Sequence, residues 1–313
     1  MSKVIRAKAP ATVANVCCGF DILGFAVHSP CDEVQLTFHE GGEVSMNSIS
    51  GDQGKLPLDA ERNTATVAVS SFLNAIDKRV GVKVDLYKHL PLGSGMGSSA
   101  ASAAAALVAV NAYFGNPLSR EALVVHAMEA ERVACGAAHA DNVAPSLMGG
   151  FVLVRNYQPL DLIRVPFAVE IYCTLVHPHL ELRTEDARKV LKPAVTLKEA
   201  ITQNGNTAGL MVGLMSGDYE LIGRSLHDVI AEPIRSVFIP GFATIKQKAI
   251  EAGALGAGIS GSGPTMFALS RNKATAERVG HAMQQHFALM ELPSDVYVSA
   301  VNGAGATIIE RES

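Results

Sequence analysis

The sequence lacks any run of lysine and arginine, and its formal net charge is −4. With a pI of about 6.2, it offers no basic stripe to a nucleic acid, and no such partner is expected. It also lacks an apolar stretch of the ~20 residues that a membrane span needs. The most apolar segment, AASAAAALVAV at 100–110, is far shorter and predicts a buried helix. The opening MSKVIRAKAPATVAN has no unbroken apolar core, so no signal peptide is expected. None of the five cysteines (Cys17, Cys18, Cys31, Cys135, Cys173) falls in a C-x-x-C spacing, and their number is odd. Free buried thiols in a reducing, cytoplasmic compartment follow.

No 20–50-residue repeat is visible, and strands and helices alternate without a regular βαβ rhythm. The fold class is therefore α+β rather than a doubly wound sheet. The 313 residues, 48% hydrophobic and 18% charged, suit a two-lobed unit or two domains with a core large enough to need no staples. Strand character lapses at 156–164, which places the seam there.

Residues 3–8 and VQLTF at 34–38 predict strands; the Gly- and Ser-rich 41–57 predicts turns or a hairpin tip. Ala65, Ala68, Val69, Phe72, Leu73 and Ile76 share one helical face over 64–76. Val82, Val84 and Leu86 alternate with Lys83, Asp85 and Tyr87, the pattern of a half-buried strand. An alanine-rich helix runs to about Phe114, stopped by Gly115-Asn116-Pro117, and Ser119 caps a helix reaching about Cys135. Beyond it, 151–154, 169–176 and 296–301 predict strands. Helices are expected at 184–191, 196–215, 219–230, 242–251 and 274–287, and a strand-turn-strand at 259–269.

The strongest local signal is Gly93-Ser94-Gly95-Met96-Gly97-Ser98-Ser99, between a strand and the alanine-rich helix. Glycines let the backbone turn and bring N–H groups to a ligand, and the free N–H groups at the following helix start favour anions. A Walker A loop is excluded, because no lysine follows. Gly95-x-Gly97-x-x-Ala100 nominally meets a dinucleotide fingerprint, but the next segment is a Gly-Asn-Pro turn and a second helix rather than a strand. Close packing through small residues explains 100–106 but not the three glycines and three serines before them. A phosphate cradle is the reading these residues support.

Other constellations are weaker. Asn15 and Asp21 end a polar turn and could line a pocket or be plain turn residues. His139-Ala140-Asp141-Asn142 is a dense polar cluster in which His139 and Asp141 could serve as acid–base groups, though a lone histidine is more often structural. Arg183, Arg188 and Arg235 suit a carboxylate or phosphate, or are surface arginines. Glu129 and Glu131 face different sides of a mostly apolar helix, and spacing alone reads either as solvated. Residues 256–264 (GAGISGSGP) form a second glycine-rich stretch, either a hairpin or a wall admitting a ligand to the backbone.

Taken together, PATVANVCCGFDILG, PLGSGMGSSAAS, HADNVAPSLMGGF and GISGSGPTMFAL resemble the GHMP kinases in order and wording. The first and third, with TEDAR at 184–188 and AEPIRSVFIPGF at 231–242, resemble the branch that phosphorylates L-homoserine. The resemblance runs from about Lys3 to Ala306. It implies an ATP-binding domain like domain 2 of ribosomal protein S5 over 1–158 and a ferredoxin-like domain over 159–313. It implies ATP phosphates on Pro91, Leu92, Gly93, Ser94, Gly95, Met96, Gly97, Ser98, Ser99 and Ala100, with Gly261 nearby and Asn63 and Lys88 near the adenosine. Ser99 and Glu131 would hold Mg²⁺. Asp21 would meet the acceptor's ammonium, and Arg188 and Arg235 its carboxylate. Asn15, His139, Asp141, Asn142 and Thr184 would complete the pocket, with Asn142 nearest the hydroxyl. Asn142, Asp141 and Arg188 are the catalytic candidates; Asp141 is either a base or structural, with the proton then passing to the phosphate. The product would be O-phospho-L-homoserine, on the route to threonine. Dimers are common in the superfamily, so a homodimer is expected by analogy. Rival readings are another GHMP kinase acting on mevalonate or a sugar, and a non-catalytic sensor of ATP or a metabolite. Intact Ser99, Glu131 and Asp141 argue against the sensor.

Overall fold

The structure is a computed structural model that describes residues 3–312 apart from 137 and 183. It opens with two long antiparallel strands, β1 (Lys3–Ala14) and β2 (Leu23–His39). Along β2, Asp32, Val34, Leu36 and Phe38 all point inward, the two-residue period of a strand with one face on the core. A short strand, β3 (Val44–Ser50), lies inside the segment read as turns. Its apolar Val44, Met46 and Ile49 pack on the core, but a register shift between Met46 and Ser48 breaks their alternation, and the rest of the half-exposed strand is polar. After α1 (Thr64–Ala75), β4 (Gly81–Tyr87) pairs antiparallel with β2 and parallel with β3.

The alanine-rich segment is α2 (Ser98–Tyr113), buried from Ala100 through Ala112. A helix apolar all round is stable only when surrounded; this one packs against β1, β2, α1, α3 (Arg120–Cys135) and α4 (Ala140–Met148). Alanine lets those neighbours come close. Ser119 caps α3 as expected, its hydroxyl accepting from Ala122 N at 3.2 Å. The next strands, β5 (Phe151–Tyr157) and β6 (Leu160–Val165), form a hairpin attached to the start of β2. Strand character therefore persists where the sequence suggested a seam.

The second layer begins with β7 (Tyr172–Pro178), α5 (Thr184–Lys189), α6 (Leu197–Ser216) and α7 (Tyr219–Ser225). Thr196 and Glu199 close a capping box on α6. The helix expected over 219–230 stops at Ser225, because Asp228 turns its carboxylate onto the N–H groups of Ile230, Ala231 and Glu232 (2.8, 3.1 and 2.8 Å) and starts α8 (Glu232–Arg235). Then follow α9 (Phe242–Glu251), β8 (Gly256–Ile259), β9 (Met266–Ser270), α10 (Lys273–Leu289), β10 (Ser294–Ala300) and β11 (Thr307–Glu312). Strand β11 lies against β1. The first sheet thus runs β11-β1-β2-β4-β3, with β5 and β6 beside β2, and the second runs β10-β7-β9-β8. The division expected at 158/159 falls in the turn of the β5–β6 hairpin; by sheet membership the first unit continues to Val165 and takes in β11. The larger of two core clusters spans both sheets, where Phe25 packs on Phe151 (centroids 4.8 Å apart) and on Phe267 of β9 (6.3 Å); the second joins the other face of the second sheet to α9 and α10.

A buried polar network lies at the end of β4. Lys88, just past β4, forms a buried ion pair with Asp32 of β2. The lysine also donates to Ser98 O and Ser102 Oγ, both at 2.9 Å. The other Asp32 oxygen accepts from His89 N (2.8 Å) and Leu90 N (2.9 Å). Breaking such a pair leaves an uncompensated buried charge, at a cost of about 3–5 kcal/mol. Lys88→Met should lower the unfolding free energy by about that amount in urea denaturation, and adding Asp32→Leu should restore part of it.

Candidate active site

The glycine-rich loop lies between β4 and α2, and the Lys88–Asp32 pair holds it at both ends: Asp32 through Leu90 before it, Lys88 through Ser98 after it. Gly93, Gly95 and Gly97 all have positive φ (61°, 79° and 69°). A Cβ on Gly95 would stand 2.4 Å from Ser260 O, and one on Gly97 would stand 2.1 Å from Thr12 Oγ1, so neither position admits a side chain. Met96 O accepts from Thr12 N (3.0 Å), Gly95 O from Ser260 Oγ (2.8 Å) and Ser94 O from Thr265 N (3.1 Å). The loop is thereby clamped against the second glycine-rich stretch, which contains Gly261. With carbonyls engaged on that side and the start of α2 behind it, the loop has the geometry of an anion cradle. Ser98 and Ser99 form the first turn of α2. Asn63 is buried as the cap of α1, accepting from Ala65 N at 3.0 Å and donating to Pro57 O at 3.3 Å. Lys88 is thus engaged in the scaffold of the loop, and Asn63 in the start of α1.

A second group of polar residues meets the loop at Asn142. Its Oδ1 accepts from Thr12 Oγ1 at 2.8 Å, and a Cβ on Gly97 would come within 3.0 Å of the same oxygen. Asn142 and the buried Asp141 belong to the first turn of α4, with His139 as its cap residue. Opposite them, Asn15, Val16 and Cys17 all have positive φ (70°, 43° and 59°), as does Asp21 (58°). Consecutive left-handed conformations in non-glycine residues are costly and persist only when the surroundings impose them. Here Asn15 Nδ2 donates to Gly261 O (2.9 Å), Asn15 Oδ1 accepts from Asp21 N (2.9 Å), and Gln203 and Thr207 of α6 both donate to Cys18 O (3.0 and 2.8 Å).

The turn delivers Asp21 to Arg188 of α5 in a two-pronged pair, Nη1–Oδ2 3.1 Å and Nη2–Oδ1 2.9 Å. Arg235 is buried next to them. It donates to Ala187 O (3.1 Å) and Gly261 O (3.2 Å), and among the described residues no carboxylate lies within ion-pair distance of it. Both guanidiniums stand over the Phe20 ring, at 5.8 Å (Arg188) and 5.2 Å (Arg235). Burial, followed by the like charge of Arg188, pulls Arg235 below its ordinary pKa. Burial likewise lowers His139, against the opposing pull of Asp21 3.9 Å away, which keeps the imidazole neutral at neutral pH. Tyr157 donates to Asp21 O (2.7 Å) and accepts from Ala140 N (3.3 Å), tying the turn to α4.

Asn15, Asp21, His139, Asp141, Asn142, Arg188 and Arg235 are thus brought together beside the loop. Glu131 lies on α3, close enough for its charge to act on Asp141. The Thr184 side chain and Arg183 lie outside the described residues. Sequence reasoning missed Thr12, Phe20, Tyr157 and Asp32. Only Asp32 left a signal: it is in phase with Val34, Leu36 and Phe38, as Lys88 is with Val82, Val84 and Leu86, so both charges had to face inward. Cys17, Cys18 and Cys173 are buried and Cys31 partly so; the Cys135 side chain lies outside the described residues. Burial raises Cys17 well above the usual thiol range and Cys18 to about 11, so the adjacent pair is a poor target for oxidation.

The family models of the GHMP kinases N terminal domain and the GHMP kinases C terminal domain match residues 63–150 and 210–289, which sets the class as a GHMP kinase. A homoserine kinase of Chlorobium phaeobacteroides is 53% identical over 98% of this chain and all of its own length. One of Xanthomonas campestris is 40% identical over 97% of this chain and 94% of its own. The crystal structure of a homoserine kinase from Cytophaga hutchinsonii superposes with a TM-score of 0.95 at 50% identity, covering 98% of this chain and 97% of that one. The chain belongs to the homoserine kinase family.

Burial first, then the Asp21 carboxylate, push Asp141 up to about 7, against the pull of Arg188. A carboxyl with a higher pKa folded than unfolded adds stability in its acid form. That contribution is complete below about pH 4 and is lost as pH climbs through about 7. Relative to Asp141→Asn, the natural chain should lose on the order of a few kcal/mol between pH 5 and pH 8 in denaturant titrations. Parallel profiles for the two proteins would refute this assignment.

Proposed function

We propose that this protein transfers the γ-phosphoryl group of ATP to the side-chain hydroxyl of L-homoserine, giving O-phospho-L-homoserine on the route to threonine. The observation that carries the acceptor is the buried Arg235, with no carboxylate partner among the described residues, beside the Asp21–Arg188 pair. A zwitterion fits this charge set. Its ammonium would take over Asp21, and its carboxylate would bridge the two guanidiniums on Phe20. Mevalonate has a carboxylate that would draw Arg188 away from Asp21 but no ammonium to replace it, and a neutral sugar would leave Arg235 without a carboxylate; each leaves a buried or half-buried charge uncompensated, a penalty of the kind that gives strong discrimination.

In this reading the loop N–H groups and the start of α2 bind the ATP phosphates. Asn142, bonded to Thr12 beside Gly97, would orient the hydroxyl toward the γ-phosphorus. His139 stays neutral and supports Asp21. Asp141, poised near neutrality, is suited to receive the hydroxyl proton, with direct passage to the phosphate as the alternative. The donors offered for a metal, the Ser99 hydroxyl and the Glu131 carboxylate, are hard oxygens that suit Mg²⁺, which takes few protein ligands and completes its shell with phosphate and water. Bound there, Mg²⁺ would neutralise phosphate charge. The buried thiols suit a reducing cytoplasm, and among the described residues no helix is long and apolar enough to cross a membrane.

Release of ADP measured across homoserine, serine, mevalonate and galactose tests the reading; homoserine should give the highest kcat/KM, and a preference for mevalonate or galactose would overturn it. Asp21→Asn should raise the homoserine KM roughly 10–100-fold through loss of a charged hydrogen bond, with the KM for ATP little changed; equal effects on both would remove Asp21 from the acceptor site. Glu131→Gln should lower kcat and shift the Mg²⁺ requirement upward. An unchanged Mg²⁺ optimum would rule Glu131 out as a ligand.

A further inference from the structure

The two halves of the polar cluster come from separate segments: Asp21 from the turn between β1 and β2, and His139, Asp141 and Asn142 from the start of α4. Tyr157, the last residue of β5, bonds to both. Its hydroxyl donates to Asp21 O (2.7 Å) and accepts from Ala140 N (3.3 Å). Strand β5 is itself laid along the turn: Val154 N donates to Ile22 O (2.7 Å), and Leu153 pairs with Leu23. The Tyr157 ring packs against the core, which fixes where the hydroxyl points.

Each of these bonds completes something that the segment leaves open. His139, the cap residue of α4, makes no side-chain bond to the helix start, and the first N–H groups of a helix have no partner within it. The phenol oxygen takes the N–H of Ala140. Asp21 stands in a left-handed conformation (φ 58°). Asn15 Oδ1 holds its N–H at 2.9 Å, and Tyr157 holds its carbonyl, so the backbone is pinned on both sides of the carboxylate. Burial, then the Asp141 carboxylate, raise the phenol above its ordinary pKa. It therefore keeps its proton, and that proton is committed to Asp21 O. With its donor and an acceptor position both used, the hydroxyl is a spacer of set length between the turn and α4.

We infer that Tyr157 sets the chain length of the acceptor, by fixing the spacing between Asp21, which takes the ammonium, and Asn142, which orients the hydroxyl. The inference rests on the acceptor reading proposed above. An amino acid anchored at Asp21 and the two arginines presents its hydroxyl at a reach that grows by one carbon–carbon bond, about 1.5 Å long, with each methylene. Serine is one methylene shorter than homoserine. A misplacement of about 1 Å at the reacting atoms can cost about 100-fold in rate. A fixed spacing therefore favours one chain length, and a yielding one tolerates both. Tyr157 is a positioning residue: it acts through Asp21 and through the helix start that carries Asn142.

ADP release with homoserine and with serine, compared between the natural protein and Tyr157→Phe, tests this. The variant keeps the ring in the core and loses only the hydroxyl. Its kcat/KM for homoserine should fall by about 10–100-fold and that for serine much less, so that the homoserine-to-serine ratio narrows by about tenfold or more. The Kd for ATP, measured by titration calorimetry, should stay that of the natural protein. Tyr219→Phe removes a comparable hydroxyl bond outside the pocket, to Glu170 O at 2.8 Å, and should leave the ratio unchanged. Equal losses on both amino acids, an unchanged ratio in Tyr157→Phe, or the same narrowing in Tyr219→Phe would overturn the role of Tyr157 alone. A natural protein inactive on both amino acids would overturn the acceptor reading and this inference together.

Discussion

A single buried ion pair sets the geometry on which the site depends. Lys88 and Asp32 are cross-strand neighbours beyond the end of the β2–β4 ladder, in line with the last pairing, Glu33 with Tyr87. Their charges are out of water, so every remaining donor and acceptor needs a partner. Those partners are the backbone before the glycine-rich loop and the first turn of the helix after it. The desolvation that makes the pair expensive also leaves it few alternative arrangements. The loop is therefore held in one shape, so a ligand bound there would meet its N–H groups without further ordering cost.

The polar cluster around Asp21 is built on the opposite principle. There the backbone itself is forced, with successive left-handed residues at Asn15, Val16 and Cys17 and another at Asp21. The strain is held by hydrogen bonds from both layers: Gly261 from the second glycine-rich stretch, Gln203 and Thr207 from α6, and Tyr157 from β5. Asp21 and Arg188 come from segments far apart in sequence, and Arg235 from a third. The pocket consequently exists only when the two sheets are packed on their shared phenylalanine core.

Local chemistry was legible in the sequence wherever it was written in neighbouring residues. The glycine-rich loop, the alanine-rich α2, the Ser119 cap and the Thr196 helix start all rest on patterns a few residues long. Elements with weak or mixed patterns were not legible: β3 breaks its apolar alternation between Met46 and Ser48, α4 carries Pro145 inside it, and β6 and β11 are short with charged residues interspersed. The helix expected over 219–230 read propensity correctly to Ser225 and missed that Asp228 would compete for the backbone N–H groups. In the site, arginines and acids were nameable individually, but their pairing was not, because Asp21 and Arg188 meet only through tertiary structure. Phe20, the ring under both guanidiniums, looked like an ordinary apolar residue beside a turn.

The pairing of β11 with β1 has a consequence for biosynthesis. While the polypeptide emerges from the ribosome, β1 can align with β2 early, yet its other edge stays open until residues 307–312 have been made. An open strand edge is a template for unwanted pairing, so the nascent chain carries that hazard while the nearly 270 residues between β2 and β11 are being made. Only the arrival of that short stretch covers the free edge of β1, in the sheet on which the glycine-rich loop is built.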